Sequence, residues 1–514
     1  MNCNVAAGRS VLGQPRHLLF ALCLAVASLA YVYARQSQRA TVPDHGDAWA
    51  DMLHLVAADK FNRYGYARLC FGLTLDDGAE IGLQPSYFPH WPPFPAIIVS
   101  LLFRLGLSTE QARIVPLLVS HSALIAVYLV TRRVLGDWRA GIAALLALAS
   151  SAPFRLLSDS FAYPSYDFAA KAWTFLFITL GTLSSGWRRL AWLVTAGVAA
   201  FATLALSGFE MAPAIGSYSV LFPLLFTPRA ERLRTTLLSA LFVAAGLLGG
   251  MLSRIVHNAC MLGGAGPALT DFAAVFARRS FADYGELYGG QPYLEELLYR
   301  LGAYYPLHLT VTLAGVGFAG LLAYRRRWRP ELSALTWLGV VLSSESLWFI
   351  LLRQHSHEHV HTIDQVAVSG SIAVALAVGL IWTAVGHSTG LRYGALVVGA
   401  GLLITALAGT GVRPYGNLPS KVDWSREKRR VETMASRLPA NAVVVLEGAR
   451  MPGTDYFLGR TSLRGRGLIE PIGPPERPWF LMTRRAEGDP IYEAARTQYR
   501  LLSEAGDLAL FALR

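Results

Sequence analysis

Charge is scarce in this chain of 514 residues: 16% of them are charged and 53% hydrophobic, and the mean hydropathy is positive. A water-soluble domain typically carries about 25% charged residues, so an aqueous fold of this length is excluded and the lipid bilayer is the relevant solvent. Cysteine is equally scarce. Cys3, Cys23, Cys70 and Cys260 form no CxxC pair, which excludes a cysteine-ligated zinc site or a dithiol redox motif. Cys70 and Cys260 both fall in segments expected outside the cytoplasm, where a disulfide is chemically allowed; their scatter over unrelated segments favours two independent thiols. There is no internal repeat. The formal net charge of +12 does not indicate nucleic acid, which is not expected as a partner, because the arginines fall in short clusters between apolar runs, where they act as topology signals.

What is present is a succession of apolar runs. A bilayer core of about 30 Å takes roughly 20 apolar residues per helix, and such runs occur at His17 to Ala34, Ala112 to Val130, Arg139 to Ala152, Phe168 to Leu183, Leu190 to Leu206 and Pro213 to Phe226. They continue at Thr235 to Val256, Leu307 to Tyr324, Leu332 to Leu352, Val366 to Val385 and Tyr393 to Gly409. The expectation is a polytopic α-helical membrane protein with about eleven spans. The connections alternate. Short basic ones (Arg132, Arg133 and Arg139; Arg188 and Arg189; Arg229, Arg232 and Arg234; Arg325 to Arg329; Arg392) are cytoplasmic by the positive-inside rule. The other set, Asp44 to Pro95, Ala152 to Asp167, Ser207 to Ala212, His257 to Pro306 and Arg353 to Gln365, holds most of the acidic and histidine content and is expected outside. Arg9 and Arg16 before the first run place the N-terminus inside. Removal of that run as a signal peptide would leave the next loop on the same side.

After Gly409 no run is long enough to span. Residues 1–410 are therefore read as a transmembrane domain with a large outside loop over 35–111, and 411–514 as a small α/β domain outside. Within it Trp424 to Arg437 has helical spacing, Ala442 to Leu446, Trp479 to Thr483 and Leu508 to Leu513 read as strands, and the proline-rich stretch from Pro471 reads as a loop.

Chemistry is expected in the outside loops. In Asp44-His45-Gly46-Asp47-Ala48-Trp49-Ala50-Asp51-Met52-Leu53-His54, helical spacing puts Trp49, Met52, Leu53 and Val56 on one face and Asp47, Asp51 and His54 on another. This predicts a jaw-like helix lying flat on the membrane with its acids in water. Tyr87-Phe88-Pro89-His90-Trp91-Pro92-Pro93-Phe94-Pro95 fixes a turn, since prolines at that density block a continuous helix, and Ala96 to Leu105 is too short to span. Asp167 stands at the mouth of a spanning helix four residues before Lys171. An acid there is expensive unless paired or wet, which makes it a candidate functional residue; a local ion pair with Lys171 is the alternative. In Arg353-Gln354-His355-Ser356-His357-Glu358-His359-Val360-His361-Thr362-Ile363-Asp364, the ligand types suit zinc. A cradle for an anionic headgroup fits them better, with Arg353 as a fixed charge. No dedicated metal site and no required cofactor are expected.

In this order of features the chain resembles the membrane glycosyltransferases of the C-type fold, in particular the protein O-mannosyltransferases and the lipid A aminoarabinose transferases. The likeness covers most of the chain and is best from Asp44 to Leu183. In that family the first outside loop carries an Asp-Glu pair; here the place reads Gly46-Asp47-Ala48-Trp49, which leaves Asp47 as the match and Asp44 as the second candidate. His90-Trp91-Pro92-Pro93 is similar to the family's basic residue followed by Pro-Pro, Asp167 to the acid opening its fourth helix, and His357 or His359 to a histidine of its late outside loop. The resemblance implies transfer of a single sugar from a polyprenyl phosphate to a glycan, lipid or protein acceptor at the outer face of a cell membrane, with inversion at the anomeric carbon. Asp47, Asp44 and Asp167 would then be the catalytic candidates, and His90, Arg353, His357, His359 and Lys171 the groups for donor phosphate or substrate.

Two other functions suit parts of the sequence. A transporter predicts inverted repeats and charges deep in spans, neither of which is evident. A lipid-linked polysaccharide polymerase or ligase shares compartment and donor type and differs in taking an oligosaccharide on pyrophosphate.

Overall fold

The computed structural model describes residues 15–37, 48–83, 85–281, 293–324, 332–353, 364–385, 424–447, 453–464, 477–485 and 489–513. The chain divides into two compact units: residues 1–36, 114–255 and 268–417 form the first, and 37–113, 256–267 and 418–514 the second. The C-terminal domain therefore shares its unit with the 37–113 segment, although nearly the whole first unit separates them in sequence.

The first unit is helical. Helices Pro15–Ser37, Ile114–Leu135, Trp138–Ser150, Pro164–Leu183, Gly186–Leu206, Ala212–Phe226, Arg232–Leu262, Pro306–Tyr324, Leu332–Leu351 and Val366–Val385 fall on ten of the eleven apolar runs. The eleventh, Tyr393 to Gly409, lies outside the described residues. Six of the described helices are long and apolar enough to cross a membrane, by length and composition. Between His257 and Pro306, read as a loop, the chain is instead largely helical, through the end of Arg232–Leu262, Ala265–Phe281 and Tyr293–Tyr304; Asp, Arg and Glu inside these segments mask the helical period from a search for apolar runs.

Packing follows side-chain size. Small residues bring helices Gly186–Leu206 and Arg232–Leu262 together: a Cβ on Gly246 would collide with the Gly197 carbonyl, so backbone approaches backbone, as in other small-residue membrane contacts. At the centre Phe175 stacks on Tyr218 at 4.0 Å, and the Tyr218 hydroxyl accepts from Trp337 Nε1 at 3.1 Å and bonds Thr179 at 2.9 Å. A polar atom in an apolar interior is tolerable only when so partnered.

The second unit contains a five-stranded sheet of order β2-β1-β3-β5-β4, with β1 Val443–Glu447, β2 Thr461–Arg464, β3 Trp479–Arg484, β4 Arg500–Ala505 and β5 Leu508–Ala512. β1 pairs in parallel with β2 and β3, and β5 antiparallel with β3 and β4. Val443 and Val445 face one buried cluster and Val444 and Leu446 another: a strand covered on both faces reads as a continuous apolar run. Strands β1, β3 and β5 and helix Trp424–Ala435 fall where the sequence placed them. Strands β2 and β4 and helices Gly453–Leu458 and Pro490–Gln498 were not expected, and the Pro471 stretch lies outside the described residues.

Helix Ala48–Tyr64 overturns one expectation. Asp51 is 3% exposed and His54 fully buried, so the face expected in water is covered by protein. The turn before Phe94 does interrupt the helix as the prolines require, and Phe94–Arg104 begins immediately after it. Cys70 and Cys260 form a disulfide with Cα atoms 5.8 Å apart, correcting the expectation of two independent thiols. Residues 190 apart in sequence meet only because the 256–267 segment folds back onto this unit.

Candidate functional site

In the first unit, Asp167 occupies the first turn of Pro164–Leu183, with Pro164 at the helix start. That position favours a negative charge, because the unpaired amides of the first turn carry partial positive charge. Asp167 is fully buried. Its Oδ2 accepts from Gln365 Nε2 at 3.1 Å, and Ser207, the Gly208 amide and the Glu210 carboxylate surround it. Glu210 is 3% exposed and lies in the short turn Phe209–Met211. Asp364, 1% exposed, directly precedes Gln365, and neither of its carboxylate oxygens has a hydrogen-bond partner among the described residues. Burial, followed by the negative charges of Asp167 and Glu210, pushes its pKa well above the ordinary carboxylate value.

Below this group lies an ion pair. Lys171 Nζ donates to Glu345 Oε2 and, at 2.7 Å, to the Gln365 carbonyl, and Ser369 Oγ donates to the same Glu345 oxygen at 2.5 Å. Lys171 is thus engaged with helix Leu332–Leu351 and does not form the local pair with Asp167 that stood as the alternative to a functional role. The i, i+4 spacing put both on one face of a helix, but a neighbouring helix supplies a closer carboxylate. Gln365 joins the two layers, its amide holding Asp167 and its carbonyl holding Lys171.

Asp167, Glu210 and Asp364 are thus buried beside one another, while Glu345 is taken up by Lys171. Ionised carboxylates in a low-dielectric interior repel one another and their full ionisation is disfavoured, so the site is suited to accept a hydrogen bond or a proton from a hydroxyl-bearing ligand. Among the described residues no cluster of three histidine, cysteine or acidic side chains has the arrangement to hold a metal ion.

Arg353 lies exposed beyond the end of helix Leu332–Leu351, its guanidinium 5.3 Å above the Tyr293 ring. In the second unit, His90 stands edge-on to Phe88 at 5.2 Å, and Phe88 and Trp91 pack edge-on against Trp49 at 5.4 and 5.3 Å. His90 accordingly belongs to the aromatic group that holds the first turn of helix Ala48–Tyr64. Asp44, Asp47, His357 and His359 lie outside the described residues.

Sequence reasoning passed over Glu210, Glu345, Asp364 and Gln365 as site residues. Glu345 had a signal. It is an acid in the middle of an apolar run, where an ionisable group marks a functional or paired position, and it contradicts the view that charges gather only in loops. Glu210 had only its place in a short connection.

No family model matches the chain, and no curated protein matches it. The fold is that of the C-type membrane glycosyltransferases. It is shared with ArnT from Cupriavidus metallidurans in two crystal structures: one bound to undecaprenyl phosphate, at TM-score 0.61, and one in the apo state, at TM-score 0.58. Each comparison covers 96% of this chain and 98% of the other at 15% sequence identity.

Proposed function

We propose that this protein is a glycosyltransferase that moves a single sugar from a polyprenyl phosphate to an acceptor hydroxyl or amine at the outer face of the membrane, with inversion at the anomeric carbon. The observation that carries this reading is the shared fold over 96% of the chain with ArnT, whose structure is bound to undecaprenyl phosphate. A donor with an isoprenoid tail calls for a site that opens to the bilayer, and helices exposing leucine and valine, such as Leu241 and Val198, provide an apolar boundary for it. Asp47 is the proposed base that takes the acceptor's proton as attack proceeds. Asp167, with Glu210 and Asp364 beside it, would receive sugar hydroxyls, while Arg353 and the histidines His357 and His359 would hold the departing phosphate; His90 remains a separate candidate for contact with the donor. Lys171 acts from below, through Glu345 and Gln365.

The Cys70–Cys260 disulfide supports an oxidising compartment for the second unit, in keeping with a C-terminal domain outside the cytoplasm. A phosphatase reporter fused after Arg514 should be active; an inactive fusion beside a bright cytoplasmic reporter would put the proposed site on the wrong face.

The deciding experiment is incubation of the purified protein with undecaprenyl-phosphate sugars of several kinds and acceptor lipids or glycans, following release of free undecaprenyl phosphate. Turnover with one or more single-sugar donors supports the reading. Turnover only with oligosaccharide pyrophosphates moves it to a polymerase or ligase, and no turnover with any donor that binds refutes it.

A further inference from the structure

Helix Ala48–Tyr64 begins at the residue after Asp47 and is secured at both ends. At its start, Trp49 packs edge-on to Phe88 and Trp91, and His54, one turn on, stacks on Trp91 at 5.9 Å. At its far end Lys60 enters a closed ionic cluster. Its Nζ lies 2.7 Å from Asp455 Oδ2 and 3.6 Å from Asp77 Oδ1, and the three side chains are 2 to 3% exposed. Asp455 belongs to helix Gly453–Leu458 of the C-terminal domain.

Asp77 belongs to neither helix. Its amide donates to the Ser462 carbonyl at 2.7 Å, and its Oδ2 accepts from the Ser462 amide at 2.9 Å; one residue earlier, Asp76 Oδ2 accepts from the Arg464 amide at 3.3 Å. Residues 76 and 77 therefore cover the edge strand β2, whose polar groups would otherwise remain open to pairing. Glu80 continues the cluster, accepting from Thr461 at 2.8 Å and Arg477 at 2.9 Å, and the Tyr64 hydroxyl lies 2.8 Å from Glu80 and 2.9 Å from Asp77.

A buried ion pair is a poor source of net stability compared with an apolar pair of the same volume, but its geometry is strict. One lysine between two carboxylates fixes both the rotation and the axial position of its helix, which leucine packing would not. We infer that Lys60 and Asp455 are positioning residues, through which the C-terminal domain fixes the direction of the helix that begins one residue after Asp47 in the sequence. The inference rests on the proposed base role of Asp47. Misplacement of a reacting group by about 1 Å costs on the order of a hundredfold in rate, so a small reorientation suffices.

The test uses the full-length protein with Asp455→Asn, which keeps the shape and removes the charge. Turnover of the active undecaprenyl-phosphate sugar should fall at least about tenfold in kcat with donor KM within about twofold, and Asp455→Glu should recover part of it. Hydrogen exchange should rise at residues 48–56 as well as near Lys60. A cluster that merely holds the fold loosens only 58–64 and 453–464 and leaves kcat per folded molecule unchanged, and that result overturns the inference. If Asp455→Asn fails to fold, Ser462→Ala, which removes a hydroxyl in hydrogen-bond contact with both carboxylates, should show the same split on a smaller scale. A wild-type protein without turnover refutes the functional reading, while the exchange pattern still decides whether the cluster controls the helix start.

Discussion

Lys171 and Glu345 meet across 174 residues of sequence, and their pairing leaves Asp167 with no cation within ion-pair distance among the described residues. The amide of Gln365 is what holds the Asp167 carboxylate. The catalytic candidate is thus oriented by neutral donors, Gln365 together with Ser207 and the Gly208 amide, and no ion pair among the described residues holds it.

Breaking that pair should be costly in one direction only. Glu345→Gln leaves a buried lysine without its counterion, a change worth about 3 to 5 kcal/mol, and should lower the melting temperature of the purified protein markedly. The double variant Lys171→Met with Glu345→Leu should recover most of this loss. Equal destabilisation in both variants would show that the helices need the ion pair itself.

Asp167→Asn preserves the bond from Gln365 in a flipped amide geometry and removes the charge. It should fold and lose at least about a hundredfold in kcat/KM. Asp47→Asn should lose a comparable factor in kcat with donor affinity about normal, and Asp44→Asn should be milder. Asp51, which spacing alone would make a silent surface acid, is buried, so Asp51→Asn should register in the melting temperature and little in kcat. Full activity of Asp47→Asn would dismiss it as the base.

The pH response of the second unit should contain two opposing parts. Burial depresses the His54 pKa to about 4 from 6.5; a depressed base contributes stability that is present above pH 6.5 and lost as pH falls through about 4, on the order of 3 kcal/mol. Asp455 is raised to about 6 from 3.8, chiefly by burial, with Lys60 opposing the rise and Asp77 adding to it. A raised acid contributes stability that is present below pH 3.8 and lost as pH rises through about 6. His54→Phe keeps the stack on Trp91 and removes the titration, so its melting temperature relative to wild type should climb as pH is lowered from 7 to 4. A constant difference across that range would exclude His54 as the source of acid sensitivity.

The Cys70–Cys260 bond should be quantitative in protein isolated without reductant, so that neither of these two thiols reacts with maleimide until the protein is reduced. Reduction should cost about 2 to 5 kcal/mol and loosen the 256–267 segment. Maleimide labelling of Cys70 or Cys260 in native, unreduced protein would contradict both the bond and the compartment it implies.

What the sequence determined by itself follows from short-range physics. A bilayer requires long apolar helices, and ten of the apolar runs coincide with helices because length and hydropathy suffice to define them. Strands β1, β3 and β5 were legible because Val443 to Leu446, Trp479 to Met482 and Leu508 to Phe511 are covered on both faces. Asp167 was legible as an acid at the mouth of an apolar helix. Burial of Asp51 and His54, however, depends on segments far away in sequence, and no helical period reveals whether water or protein covers a polar face. The same holds for Lys171, where spacing proposed Asp167 and only the packing of helix Leu332–Leu351 selected Glu345. Strand β2, with three of its four residues buried, was too short to stand out, and it acquires its outer partner only when Asp76 and Asp77 arrive from the other end of the chain. The tertiary structure decided these pairings because buried charges take the partner nearest in space, and chain order places no limit on where that partner comes from.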